Sequence, residues 1–173
     1  MIYMDRPFKV GDWIRSPDKE IEGTVEHIGW RLTRIRTFDK RPLYVPNSTF
    51  ASIAVENPSR MTNRRIYETI GVRYDDAARV PVIVAEIKSM LTAHSAIDTQ
   101  QTMIVNLNHF GASSIDILVY TFTKTTDWVE FHAIKEDVLV NIMSIIEAQG
   151  AEIAFPTSTL HLASMPEIEG PAG

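Results

Sequence analysis

The turn cluster Asn57-Pro58-Ser59 separates two stretches of this chain whose apolar residues repeat with different periods. Ahead of it the chain reads as a series of short strands with turns between them. Behind it, strand-like and helix-like periods alternate. That change demands two differently built parts, a small all-β part and an α/β part. The length of 173 residues suits one domain or two small ones.

In the first part, Trp13-Ile14 follows a Gly11-Asp12 turn. Glu22 to Ile28 carries Val25 and Ile28 among polar residues and ends at Gly29. Arg31 to Phe38 places Leu32 and Ile35 on opposite faces of an extended strand, which predicts partial cover on both faces. Asp39-Lys40-Arg41-Pro42 is a turn, Leu43 to Val45 a strand closed by Pro46-Asn47, and Ser52 to Glu56 a further strand. Strands this closely spaced predict a small antiparallel barrel.

In the second part, Arg64 to Val72 is a strand. Asp75-Asp76 are cap-type residues, and Ile83, Val84, Ile87, Met90 and Leu91 follow helical spacing. Pro81 belongs in the first turn of that helix or just before it, because deeper in it clashes with the preceding turn. His94-Ser95 closes it. Thr102 to Phe110 and Ser114 to Thr123 alternate as two strands around Gly111-Ala112-Ser113. Thr125-Thr126-Asp127 caps a long stripe of Trp128, Phe131, Lys135, Val138, Leu139, Ile142 and Ile146, and Gly150 stands where a C-cap glycine belongs. A short strand from Thr159 to Ala163 completes a β-α-β-β-α-β order, the ferredoxin-like arrangement.

Composition removes whole classes of chemistry. Without cysteine there are no disulfides, thiolate metal sites or Cys nucleophiles. A net charge of −5 makes nucleic acid or anionic lipid a poor default partner. No apolar run approaches the roughly 18 residues that span a bilayer. The start of the chain lacks the basic leader and long apolar segment of a signal peptide.

The remaining polar clusters have structural explanations. His27, His94, His109, His132 and His161 form no helical H-x-x-x-H pair, so no metal site is expected, although a rotational axis would bring copies of His161 together. Asp75-Asp76 reads as helix capping rather than an acid–base pair, and Ser113-Ser114 as a turn rather than a nucleophile. No Gly-rich phosphate loop is present. No catalytic residue and no cofactor are expected. The cluster Arg31, Arg34, Arg36, Lys40 and Arg41 is the one feature that suits nucleic acid. Arg34 and Arg36 share a strand face able to track phosphates, which keeps an RNA-binding module as the alternative function.

Several segments read in order resemble the cytoplasmic part of the small-conductance mechanosensitive channel family. They are Arg6-Pro7-Phe8 with Gly11-Asp12, Gly23-Thr24-Val25 leading to Thr37, and Val45-Pro46-Asn47-Ser48. Gly71-Val72-Arg73-Tyr74-Asp75, Phe110-Gly111-Ala112-Ser113-Ser114-Ile115 and Gly150-Ala151-Glu152-Ile153-Ala154-Phe155-Pro156 follow. Lys124-Thr125-Thr126-Asp127-Trp128 looks closer to the larger, low-conductance branch.

The resemblance implies a fold of a small Sm-like β barrel over residues 6–60 and a ferredoxin-like α/β domain over 61–156. Residues 157–163, with Thr159, Leu160, His161 and Leu162, are implied to form a strand of an oligomeric parallel barrel, followed by a tail at 164–173. Residues 1–5 are implied to be the remnant of a pore-lining helix. On this reading the chain is a soluble fragment whose membrane helices are missing. It sits on the cytoplasmic side of the bacterial inner membrane and assembles as a heptamer. Its partners are further copies and permeating ions, not nucleic acid, and its role is cage and solute filter rather than gate. Arg6, Pro7, Phe8 and Trp13 are the expected pore-to-cage junction. Pro7 stiffens it by fixing its own φ and biasing Arg6 away from helix.

Overall fold

The computed structural model describes residues 7–161, and the chain divides into two compact units between Asn63 and Arg64. In the first unit, β1 (Trp13–Ser16), β2 (Ile21–Ile28), β3 (Leu32–Arg36) and β4 (Pro42–Pro46) form an antiparallel meander in the order β1-β2-β3-β4. Period-two alternation turns Ile14, Ile21, Val25, Ile35 and Val45 to one side, where Phe8 joins them in a buried core. Leu43, Phe50, Ile53 and Val55 pack around that core. Among the described residues the buried apolar side chains of this unit gather on this face. Leu32, expected to be partly covered, is 47% exposed, whereas Ile35 is fully buried.

A second difference lies after β4. Asn47–Ala51 forms a 3₁₀ helix, and the expected strand at Ser52 to Glu56 is reduced to a single bridge between Glu56 and Arg15. Side chains take over the backbone pairing there. Ser16 Oγ donates to the Ala54 carbonyl at 2.9 Å, and the Ala54 N–H donates to Asp18 Oδ2 at 2.6 Å. A backbone group satisfied by a side chain has no need of a ladder partner.

The second unit is a three-stranded antiparallel sheet in the order β5-β7-β6, from β5 (Arg64–Val72), β6 (Ile104–Phe110) and β7 (Ile115–Thr123). Pairing of Val72 with Ile115, Ile70 with Ile117 and Val105 with Val119 sets these residues on one face. Against it lie α1 (Val80–Ala93), through Ile83, Ile87 and Leu91, and α2 (Trp128–Ala148), through Val138, Ile142 and Ile146. Pro81 stands in the first turn of α1, where its missing N–H is not needed. At the start of α2, Asp127 Oδ1 accepts from the Glu130 N–H at 2.8 Å, while Thr125 Oγ1 holds Glu130 Oε2 at 2.7 Å. Gly150, at φ 67°, reverses the chain after α2.

The reversal shifts the last sheet contact upstream of its expected place. The outer edge of β5 is met by Ile153, bridged to Val72, with the Ala154 N–H donating to the Gly71 carbonyl at 2.9 Å. The expected strand at Thr159 to Ala163 has no such place. Thr159, Leu160 and His161 are exposed and outside any ladder, and Leu162 and Ala163 lie outside the described residues.

Candidate functional site

Arg6 of the expected junction lies outside the described residues; Pro7, Phe8 and Trp13 lie within them. Pro7 is exposed, and its carbonyl accepts from Asn57 Nδ2 at 3.0 Å. Phe8 turns straight into the core, 2% exposed, with its ring 5.0 Å from that of Phe50. The Trp13 N–H donates to Ser59 Oγ at 2.7 Å, and its indole meets the Phe38 ring edge-on at 5.4 Å. These contacts fasten the first residues of the unit to Asn57 and Ser59, which belong to the turn cluster found in the sequence.

Asp12 is the hub of this fastening, and sequence reasoning took it only for a turn residue. Its Oδ2 accepts from the Lys9 N–H and from Asn57 Nδ2, both at 3.0 Å. Burial alone would push the Asp12 carboxyl up. The Asn57 amide, the Lys9 N–H and the charges of Arg60 and Lys9 outweigh it, so the pKa sits below the ordinary aspartate value. Asn47 plays a comparable part. Its Nδ2 donates to the Gly29 carbonyl at 2.9 Å, and its Oδ1 accepts from Thr33 Oγ1 at 2.8 Å. The side chain therefore holds the β2–β3 turn closed.

Most of the basic cluster is already paired with carboxylates. Glu26 Oε1 accepts from Arg36 Nε at 2.7 Å, and its Oε2 accepts from Arg36 Nη2 and Arg34 Nε, both at 3.0 Å. The hydrogen bonds with Arg36 hold the Glu26 carboxyl below, and the Arg36 guanidinium above, their ordinary values. Arg41 pairs with Asp39 at 2.5 Å. Three of the five cations thus already have a carboxylate.

In the second unit, Asp76 does not cap α1. It is buried and accepts from Arg73 Nε at 2.7 Å, Arg73 Nη2 at 3.1 Å and the Glu152 N–H at 3.0 Å. The Arg73 hydrogen bonds foremost hold its pKa below the ordinary value. This clamp fixes the chain as it leaves α2 and sets Ile153 on the β5 edge. Beyond it, Leu160 is 83% exposed. His94 Nε2 lies 2.7 Å from Asp137 Oδ2 and joins the end of α1 to α2. Among the described residues no three His, Asp or Glu side chains group to hold a metal, and no helix is long and apolar enough to cross a membrane.

A family model described as the β-domain of mechanosensitive ion channels matches residues 1–60, and one described as the C-terminal part of the mechanosensitive ion channel MscS matches residues 68–153. The chain is 60% identical to the low conductance mechanosensitive channel YnaI of Escherichia coli, across 94% of this chain and 47% of that protein. It is 33% identical to the small-conductance mechanosensitive channel MscMJ of Methanocaldococcus jannaschii, across 94% of this chain and 45% of that protein. The chain thus spans about half the length of these relatives. The cryo-EM structure of MSL1 from Arabidopsis thaliana superposes with a TM-score of 0.83 at 27% identity, covering 90% of this chain and 56% of that one. The closed state of Helicobacter pylori MscS shares the fold, with a TM-score of 0.81 at 24% identity over 95% of this chain and 62% of that one.

Proposed function

The chain belongs to the MscS family of mechanosensitive ion channels, and from that premise we propose that it is the cage below a tension-gated pore, serving as support and solute filter rather than as gate. The family is one of channels and not of enzymes, and its members are homo-oligomers that pass ions. On this reading the first unit is an Sm-like barrel hung beneath the pore and the second a ferredoxin-like domain. Seven copies enclose the cage on the cytoplasmic side, with Thr159, Leu160, His161 and Leu162 contributing to a shared parallel barrel.

The observation that carries the reading is the burial of Phe8 immediately after Pro7. Tension acts on segments within the bilayer, and the link through Arg6, Pro7 and Phe8 is where force reaches the first unit. A stiff proline followed by an anchored aromatic passes displacement on instead of absorbing it. The pairing of Arg34 and Arg36 with Glu26 gives the RNA-binding alternative no support.

Patch recordings on the full-length channel test this division of labour. Phe8→Ala shifts the tension for opening. Reversal of exposed acidic residues of the cage alters ion preference or conductance with little change in threshold. The opposite pattern, a silent junction and cage charges that move the threshold, refutes it.

A further inference from the structure

The meander of the first unit has two unlike ends. Ser16 pairs with Ile21 and Arg36 with Pro42, so the β1–β2 and β3–β4 turns share one end. That end carries both signs of charge, in Asp18, Lys19, Glu20, Asp39, Lys40 and Arg41. Ile28 pairs with Thr33 and Leu32 with Pro46, which puts the β2–β3 turn at the other end. The start of the unit lies there too. The Gly11 N–H donates to the Val25 carbonyl at 2.7 Å, so the chain ahead of Trp13 runs along β2 toward Ile28. At this second end Lys9 and Arg31 are exposed, whereas Asp12 is buried.

Trp30 stands at the tip of the β2–β3 turn, 96% exposed, more than any other large apolar side chain among the described residues. Trp128, by contrast, rests its ring 5.8 Å from that of His132. Val10 and Leu32 are further exposed apolar side chains at the same end as Trp30. The backbone beneath the indole is braced. Asn47 Nδ2 donates to the Gly29 and Trp30 carbonyls at 2.9 and 3.3 Å, and the Asn47 N–H donates to the Arg31 carbonyl at 2.9 Å. Arg31, unlike Arg34, Arg36 and Arg41, has no carboxylate partner among the described residues.

These residues fit a lipid surface. A turn tip needs only turn chemistry, and an indole adds nothing to it. An indole suits the layer between hydrocarbon and water, with its apolar body on one side and its N–H toward the headgroups. A guanidinium beside it meets phosphate oxygens, and cations at that depth are drawn to anionic headgroups. Position agrees with chemistry, because this is the end at which the chain enters from residues 1–6. Six residues reach at most about 20 Å even when fully extended, so a bilayer holding the preceding segment lies close to Trp30. We propose that the β2–β3 turn rests on the headgroup layer, with Trp30 in the interface and Arg31 on lipid phosphates. This rests on the reading of residues 1–5 as the end of a pore-lining helix, and adds a contact with the bilayer separate from the covalent link.

The chain has no cysteine, so Ile2→Cys couples it to a maleimide lipid at that position alone. On vesicles of phosphatidylethanolamine and phosphatidylglycerol with brominated acyl chains, tryptophan emission of the tethered chain is expected to shift blue and be quenched. Trp30→Phe removes most of that quenching and Trp128→Phe leaves it. In sedimentation of the untethered chain with the same vesicles, Trp30→Ala lowers retention about tenfold and Arg31→Ala about fivefold. Tm is unchanged in both, because both side chains are exposed. Emission left unquenched on the tethered vesicles overturns the inference, as does quenching that Trp128→Phe removes and Trp30→Phe does not. In the full-length channel, p-benzoylphenylalanine in place of Trp30 is expected to give lipid adducts on illumination. Adducts only with another segment of the channel or with a second copy overturn the lipid contact and leave the cage reading intact. An opening tension unmoved by Phe8→Ala, with lipid adducts still formed, refutes the cage reading and upholds the contact.

Discussion

At Gly23 the backbone of β3 lies close against β2. Its φ is 152°, and a Cβ there would stand 2.3 Å from the Arg36 carbonyl oxygen and 2.8 Å from Ile35 Cγ2. Backbone on one side and a buried side chain on the other leave nothing to yield. Gly23→Ala is expected to destabilise the first unit by about 1–3 kcal/mol, the scale of a strained backbone position, read as a lower midpoint in urea unfolding. The depressed carboxyls of Asp12 and Asp76 make a prediction in pH. Each folded pKa lies below the unfolded aspartate value of about 3.9. Their stabilisation is therefore fully present above that value, falls as pH drops through the folded pKa, and is gone below both. Tm should decline as the solution is acidified below about pH 4, and Asp76→Asn should lower Tm at neutral pH while flattening part of that acid decline.

At the level of elements, the β2–β3 turn depends on one side chain from outside it. Asn47→Ala removes the bond to the Gly29 carbonyl and the acceptor for the fully buried Thr33. Each lost bond counts for about 1 kcal/mol, and a buried hydroxyl left unsatisfied for about 1–3 kcal/mol. Amide exchange measured by NMR should speed up at Gly29 to Thr33 well before it does in β1. In the second unit, Ile87 lies fully buried on α1 between sheet and α2. Ile87→Ala is expected to cost about 2–5 kcal/mol through the cavity it leaves. Met143→Ala, on the exposed face of α2, should cost under about 0.5 kcal/mol in the dissociated chain. Equal losses at the two positions would mean that α2 does not pack by the face described.

On the scale of the whole molecule, the two units keep separate cores, one around Ile14, Val25 and Ile35 and one around Ile87, Ile117 and Ile142. Calorimetry of the Ile87→Ala variant is expected to shift the unfolding of residues 64–161 alone. A shift of equal size in the first unit's transition would show the two to be one cooperative body. Self-association raises apparent stability by mass action, so Tm of the unaltered chain should climb with protein concentration and that of the Leu160→Asp variant should climb less.

Periodicity located much of the core, though not every residue of it: Leu32 and Trp128 are exposed. Ile83, Ile87 and Leu91 on one helix, and Ile115, Ile117 and Val119 on one strand, are buried because side-chain direction follows from spacing along the chain. Pro81, Asp127 and Gly150 likewise mark helix ends through contacts with residues a turn away. So does the Asn57-Pro58-Ser59 turn, which stands a few residues before the change of unit. What stayed hidden depends on residues distant in sequence. Glu26 answers Arg34 and Arg36 because the β2–β3 register shifts between Val25 and His27, leaving Glu26 as the extra residue of the bulge. Asp76 looked like a cap because one of the groups it accepts from, the Glu152 N–H, is 76 residues away, and its other partner Arg73 stands outside the helix it was expected to cap. The last sheet contact fell at Ile153 and not at Leu160, since the turn at Gly150 and the Asp76 clamp bring Glu152 to Ala154 to the β5 edge first. Local spacing fixes which face a residue shows, whereas only the packed chain decides which distant group it meets there.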